Sequence, residues 1–357
     1  MVSASGSAAG LDRRKLHAMM QAYKTTSLVR TGLELGVFDA LAEAPLGSGE
    51  VARRLGTDAR ATHILLNALC ALELLETVPA AADAGRDETS GEAFRLAAGA
   101  DELLVSSSPA YFGGMVHVIA SDWEWEALRR LPEAVRSGGT VLDVNAETPE
   151  YAYWEDFAAY AAAIARPTAD VMADTLEPWA RGRDELDVLD VACGHGVYGF
   201  TMAERHPQAR LWGLDWPNVV EVAARHAEEL QVSERTRFIT GDMFEAPLGG
   251  PYDLVTVTNV LHHFSEERAT QLLSRVAGVL KPGGRVAIVG FVRDDEHPPE
   301  QDPEPHLFSV LMLVWTSLGE VHPASAYEKM LAASGLSHLD QQTVPGLPFH
   351  VIIAERA

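Results

Sequence analysis

The sequence predicts an α/β protein whose C-terminal half is a doubly wound parallel sheet, preceded by a mainly helical N-terminal domain. Three observations predict it. From about residue 184, short apolar runs alternate with segments of helical periodicity. The first run opens into "VLDVACGHGVYGF", residues 188–200, where Gly194, Gly196 and Gly199 stand in G-x-G-x-x-G spacing. The length of 357 residues exceeds what one ordinary core organises. The expected division is a winged-helix dimerisation domain over residues 1–105, a helical linker and pocket layer over 106–180, and a Rossmann-like domain over 181–357.

The opening "MVSASGSAAG" reads as a frayed tail without the apolar core of a secretory signal. Residues 11–43 read as helices with apolar faces carrying Leu28, Leu33 and Phe38. Two more helices follow, one capped by Ser48 and one by Asp58 or Thr57. "LLETV" and "AFRLA" read as short strands around a polar loop over residues 80–92, which with the helices makes a winged helix. Residues 101–181 are mainly helical, with a break or kink at Pro167 and an end near Pro178. Six strands are then expected: "LDVLDVA", "ARLWGLD", "TRFITGD", "YDLVTVTNV", "GRVAIVGF" and "FHVIIAER". In such a sheet ligands lie beyond the carboxyl ends of the strands, at the point where strand order reverses.

Composition narrows the function classes. A formal net charge of -23 repels phosphate backbones and anionic lipid, so neither nucleic acid nor membrane is an expected partner. No apolar run is long enough to span a bilayer. Cys70 and Cys193 lie far apart and offer neither a disulfide framework nor a zinc spacing, which fits a reducing cytoplasm. The histidines show no metal-ligand spacing, and no metal is expected.

The glycine spacing alone suits several cofactors, and the acids near it discriminate. Asp190 ends the first strand. A carboxylate there is a poor neighbour for a pyrophosphate and a good one for the ammonium of S-adenosylmethionine, which also carries a sulfonium. Asp215 follows the second strand at the distance where such folds place a ribose-binding acid. Asp242, in "TGDMF", follows the third, with Met243 or Phe244 able to pack on an adenine.

"LDVACGHG", "LWGLDWP", "FITGDMFEAP", "TNVLHHFSEER" and "VLKPGGRVAIV" resemble, in order, the motifs of class I S-adenosylmethionine-dependent methyltransferases. More narrowly, the chain resembles the small-molecule O-methyltransferases, the group of plant caffeate-type, hydroxyindole and bacterial natural-product tailoring enzymes. The resemblance covers nearly the whole chain. It implies a cytoplasmic homodimer formed through the N-terminal domain, a cofactor site that includes Asp190, Gly194, Gly196, Asp215, Trp216, Asp242, Met243, Phe244 and Asn259, and a small aromatic or polyketide-like acceptor. Ala192 departs from the family pattern, standing where the first glycine is usual.

By the same resemblance His262 matches the histidine that serves as general base, the residue type best suited to that work near neutral pH. His263 replaces the aspartate that usually follows. One acid that would orient the base is missing, since Gly290 or Phe291 stands in its place, and Glu320 lies near the position of the other. In the family the segment "LFSVLMLVWTSLG" lines the acceptor site, which nominates Phe308, Met312, Trp315 and Thr316; the same stripe also reads as core. Other readings stay open. They are methylation of carbon or nitrogen, another S-adenosylmethionine-dependent tailoring reaction, a winged-helix DNA-binding regulator, and a nucleotide-dependent oxidoreductase.

Overall fold

The computed structural model describes residues 10–79 and 92–356. Most of the N-terminal tail, and all but Glu92 of the polar loop expected over 80–92, lie outside the described residues. The chain divides into two compact units, residues 1–120 and 121–357, and the boundary falls inside the stretch expected as a linker.

The first unit begins with α1 (Arg13–Glu34), whose N-cap Asp12 accepts the Lys15 amide at 2.7 Å. The short α2 (Val37–Ala40) follows. Then come α3 (Ser48–Leu55) and α4 (Ala59–Ala71). Asp58 is the cap of α4, accepting the Ala61 amide at 2.8 Å. Ser48 is the first helical residue of α3 rather than its cap, which is Gly47. β1 (Leu75–Pro79) and β2 (Glu92–Leu96) pair antiparallel with Thr77 opposite Phe94. Phe94 is fully buried and packs in one cluster with Val51, Leu66 and Leu69, which fixes the hairpin onto the helices. The short helices α5 (Ala100–Leu104) and α6 (Val116–Ile119) complete the unit.

The second unit opens with α7 (Asp122–Arg129), α8 (Leu131–Ser137), α9 (Tyr153–Tyr160) and α10 (Ala162–Ala180). The expected break at Pro167 does not occur: α10 runs through both Pro167 and Pro178, and the interruption lies at Ala161. A proline removes one helical hydrogen bond. Here the buried stripe of Ala165, Ala169, Met172, Ala173 and Leu176 keeps the helix on the sheet regardless.

The sheet holds β3 (Leu186–Val191), β4 (Ala209–Asp215), β5 (Thr236–Thr240), β6 (Tyr252–Thr258), β7 (Leu280–Gly290), β8 (Leu336–Thr343) and β9 (His350–Arg356), in the order β5-β4-β3-β6-β7-β9-β8. The first five run parallel. The wholly parallel expectation fails at the far edge, where β9 lies antiparallel between β7 and β8. β8 was not expected. Its sequence "LSHLDQQT" buries only Leu336, as an edge strand open to solvent does. Strand order reverses between β3 and β6, and their carboxyl ends frame a crevice.

Helices cover both faces. On one side α13 (Glu266–Gly278) and α15 (Ala324–Ala333) contribute Leu272 and Met330 to the core. On the other, α10 and α11 (Val197–Arg205) contribute Met172 and Phe200. α12 (Pro217–Glu229) packs Val219 and Val222 on Ala158 of α9, and α14 (Pro303–Trp315) precedes α15. No helix among the described residues is long and apolar enough to cross a membrane.

Candidate active site

A cavity of about 580 Å³ opens at the carboxyl ends of β3, β4 and β6. Its floor is the turn after β3, where Ala192, Gly194 and Gly196 all take left-handed backbone angles, with φ of 54°, 54° and 74°. Gly196 also caps α11, and a Cβ there would overlap the Phe200 ring, so no larger residue fits.

Seven of the predicted cofactor residues line this cavity: Gly194, Asp215, Trp216, Asp242, Met243, Phe244 and Asn259. Asp215, ending β4, accepts the amides of Gly194 and Trp216, both at 2.8 Å. Burial pushes its carboxyl up to about 6, against the pull of those two amides. Asp242 accepts the Phe244 amide at 2.7 Å, which presents Met243 and Phe244 along the same wall. Asn259 sits in the left-handed region, donates to the Tyr198 hydroxyl at 3.3 Å, and keeps a buried Oδ1 that has no partner among the described residues.

Gly196 and Asp190 are not on that wall, and Asp190 lies deepest, fully buried. One carboxylate oxygen accepts the Gly199 amide at 3.1 Å and the other the Thr256 hydroxyl at 2.6 Å. Its carboxylate ties the first turn of α11 to β3 and β6, and the structure does not bring it to the cavity with the other predicted cofactor residues. Burial raises its pKa to about 7.

The chemistry of the lining tests what fits. The wall carries four carboxylates, Glu147, Asp215, Asp242 and Glu267, and one guanidinium, Arg268. That guanidinium lies 3.6 Å from the Phe244 ring centroid, stacked on the ring. The two histidines on the wall are neutral, since burial lowers His195 to about 3 and His263 to about 4. A pyrophosphate would find carboxylates and little positive charge. A cationic adenosyl group finds acceptors, among them the orphaned Asn259 Oδ1. The residues therefore fit S-adenosylmethionine, with Asp215, Asp242 and Asn259 as the acceptors that would hold it.

The histidine pair follows β6 in a single helical turn. His263 lines the cavity, edge-on to Trp154 at 5.3 Å. His262 lies behind it, 4.7 Å between ring centroids, and packs edge-on to Phe308 at 5.0 Å. Its side chain makes no hydrogen bond among the described residues, and burial holds its pKa well below the ordinary histidine value. Glu320 is exposed and forms no hydrogen bond with His262; its charge acts on His322.

The four acceptor-site residues also separate. Phe308 is half-buried and stacked on Phe291 at 4.1 Å. Met312 and Thr316 are fully buried, with the Thr316 hydroxyl donating to the Met312 carbonyl at 2.8 Å. Trp315 belongs to an aromatic cluster with Tyr151, Tyr153 and Trp154. None of the four is on the cavity wall.

Sequence reasoning missed Trp154, Phe157 and His195. The first two stand three apart on one face of α9, and the periodicity was visible, but it reads equally as core. His195 sits inside the glycine turn and stacks on Phe157 at 5.9 Å. Among the described residues no group of three His, Cys, Asp or Glu is placed to hold a metal ion.

Comparison with known proteins agrees with this geometry. Residues 179–337 match the O-methyltransferase domain family, and residues 18–106 match the O-methyltransferase dimerisation domain. The chain is 27% identical to acetylserotonin O-methyltransferase of Mus musculus, over 97% of this chain and 89% of that one. It is 28% identical to 3-hydroxy-5-methyl-1-naphthoate 3-O-methyltransferase of Streptomyces sahachiroi, over 89% and 87%. A solved chain from Nostoc punctiforme shares 27% identity and a TM-score of 0.85, covering 97% of this chain and 100% of that chain. The match of both domains in this order, with a cavity suited to an adenosyl cation, places the chain in the S-adenosylmethionine-dependent O-methyltransferase family, whose members join a dimerisation domain to a catalytic one.

Proposed function

We propose that the chain methylates a hydroxyl of a small aromatic or polyketide-like molecule, with His262 receiving the hydroxyl proton. S-adenosylmethionine supplies an electrophilic methyl on a sulfonium that leaves as a neutral thioether. The protein must hold the acceptor oxygen in line with that methyl, exclude water and take one proton. Positioning contributes several kcal/mol to such a step.

The observation that carries the reading is a neutral imidazole pair beside an acid-lined cavity walled by Trp154 and Phe157. Aromatic rings in that wall suit a planar acceptor. The names of the naphthoate and acetylserotonin relatives point to acceptors of that kind. A neutral histidine is free to accept a proton, but its lowered pKa and the absence of an acidic partner among the described residues make it a weak base. Its contribution is accordingly about 10²-fold, the low end for general bases.

One observation favours a second assignment. His263, not His262, is the imidazole on the wall. The test is a screen of phenolic acceptors with His262→Ala and His263→Ala side by side. A loss of about 10²-fold in kcat confined to His262→Ala supports the first assignment. The same loss confined to His263→Ala moves the base to His263. No methylation of any hydroxyl, with transfer to amine or carbon acceptors, would sink the O-methylation reading.

We further infer a homodimer. The dimerisation-family match supports it, as do Leu16, Met19, Met20 and Tyr23, exposed along one face of α1. Sedimentation should give twice the chain mass, and Met20→Glu with Tyr23→Glu should lower it.

A further inference from the structure

The geometry points to Arg275 of α13 as a positioning residue that sets the cofactor's adenine-side wall without touching the cofactor. This rests on the reading above that Asp242, Met243 and Phe244 form that wall. The segment from Asp242 to Ala246 is a tight turn: the Glu245 and Ala246 amides donate to the Asp242 carbonyl at 3.0 and 2.7 Å, and the Phe244 amide donates to the Asp242 side chain. Among the described residues its Met243 and Ala246 carbonyls have one charged donor. Arg275 donates from Nε to the Met243 carbonyl at 3.2 Å and from a terminal nitrogen to the Ala246 carbonyl at 2.7 Å. One planar guanidinium thus spans the turn from both ends, in a geometry that a lysine cannot reproduce.

A second contact braces the side chains. Arg268, seven residues earlier on α13, lies over the Phe244 ring and donates to Gln271 at 3.1 Å. Residues 268, 271 and 275 share one face of the helix. Phe264 meets the same Phe244 ring edge-on at 5.0 Å. Backbone and ring of the wall are therefore both fixed from one helix, and that helix starts three residues after His263. Arg275 is half-buried and is not on the cavity wall, so its effect must pass through the turn.

The test uses the full chain and calorimetric binding of S-adenosylhomocysteine and of adenosine, which lacks the amino-acid portion. Arg275→Met should weaken both ligands by the same factor, about tenfold, and Arg275→Lys should restore part of it. In turnover, the loss should appear in the cofactor's KM, with the acceptor's KM unmoved. Unchanged affinity in Arg275→Met, or a loss for S-adenosylhomocysteine but not for adenosine, would overturn the role. If Arg275→Met does not fold, Arg275→Lys alone decides by whether its adenosine affinity drops. Asp242→Asn and Phe244→Ala separate the two claims. If they leave adenosine binding intact, the assignment of the wall fails; if they weaken it while the Arg275 variants do not, only the brace fails.

Discussion

The Gly194 amide donates to Asp215 Oδ2 at 2.8 Å, so the acid that ends β4 holds the left-handed turn that follows β3. Two strand ends are thereby locked into one cavity floor. Asp215→Asn keeps the shape but offers one oxygen to two amides. It should cost about 1–3 kcal/mol of stability and more than tenfold in S-adenosylhomocysteine affinity, measured by denaturant melts and calorimetry. Wild-type affinity in that variant would remove Asp215 from the site.

Asp190→Asn should behave in the opposite way. Asparagine can satisfy both Gly199 and Thr256 in place, and the residue is not on the cavity wall. Cofactor affinity should stay within about threefold of wild type, because no hydrogen bond to the ligand is removed. A loss as large as that of Asp215→Asn would restore Asp190 to the cofactor's contacts.

The pH dependence of stability carries two opposing contributions. Asp190 is raised to about 7 and Asp215 to about 6, above the ~3.9 of an unfolded aspartate. Across that window the folded chain binds more protons than the unfolded chain, so these acids make stability fall as pH rises from about 4 to 7. His195 and His263, lowered to about 3 and 4, do the reverse. Unfolded histidine titrates near 6.5, so their contribution is lost as pH falls below about 6.5. Asp190→Asn should therefore gain on wild type in melts at pH 8 relative to pH 4.5, and His263→Gln should gain at pH 4.5 relative to pH 8. No change of sign between the two variants would contradict the burial of these groups.

The same lowered histidines predict the rate profile. A base already neutral at pH 6 gives no limb near 6.5 in kcat/KM. With the cofactor saturating, so that Asp215 stays in its ligand-bound form, the profile for the acceptor should show no histidine limb between pH 6 and 7. An acid limb centred near 6.5 would mean that the catalytic imidazole is solvated in the working enzyme.

Ala192 holds φ at 54°, a region that costs an L-residue roughly 1–2 kcal/mol. Ala192→Gly removes that strain and adds about 0.4–1 kcal/mol of unfolded-state entropy. A net stabilisation of about 0.5 kcal/mol is expected from chemical denaturation. Destabilisation would show that the turn depends on the alanine methyl.

The legible parts of the fold were those where burial writes a pattern. β3 and β6 are buried at every position, and their Leu and Val residues mark them as core strands even with Asp187, Asp190 and Asp253 among them. β8 escaped because one buried leucine in eight residues leaves no pattern. The glycine turn was legible because only small residues fit it. The placement of the Asp190 side chain was not, because one step in register separates a carboxylate facing a cavity from one facing a helix end. Glu320 and His262 are close in the resembled motif, but solvent exposure of Glu320 is set by a loop whose path no local signal encodes.

The placement of β9 bears on synthesis. Among the described residues β8 pairs only with β9, and β9 is made after it. As the nascent chain emerges, the parallel strands β3 to β7 can assemble while β7 still presents an open edge, and β8 has nothing to join. The final pair must arrive together as a hairpin and dock on that edge. Until it does, β7 is a second open edge beside β5, a further place for two newly made chains to pair with each other.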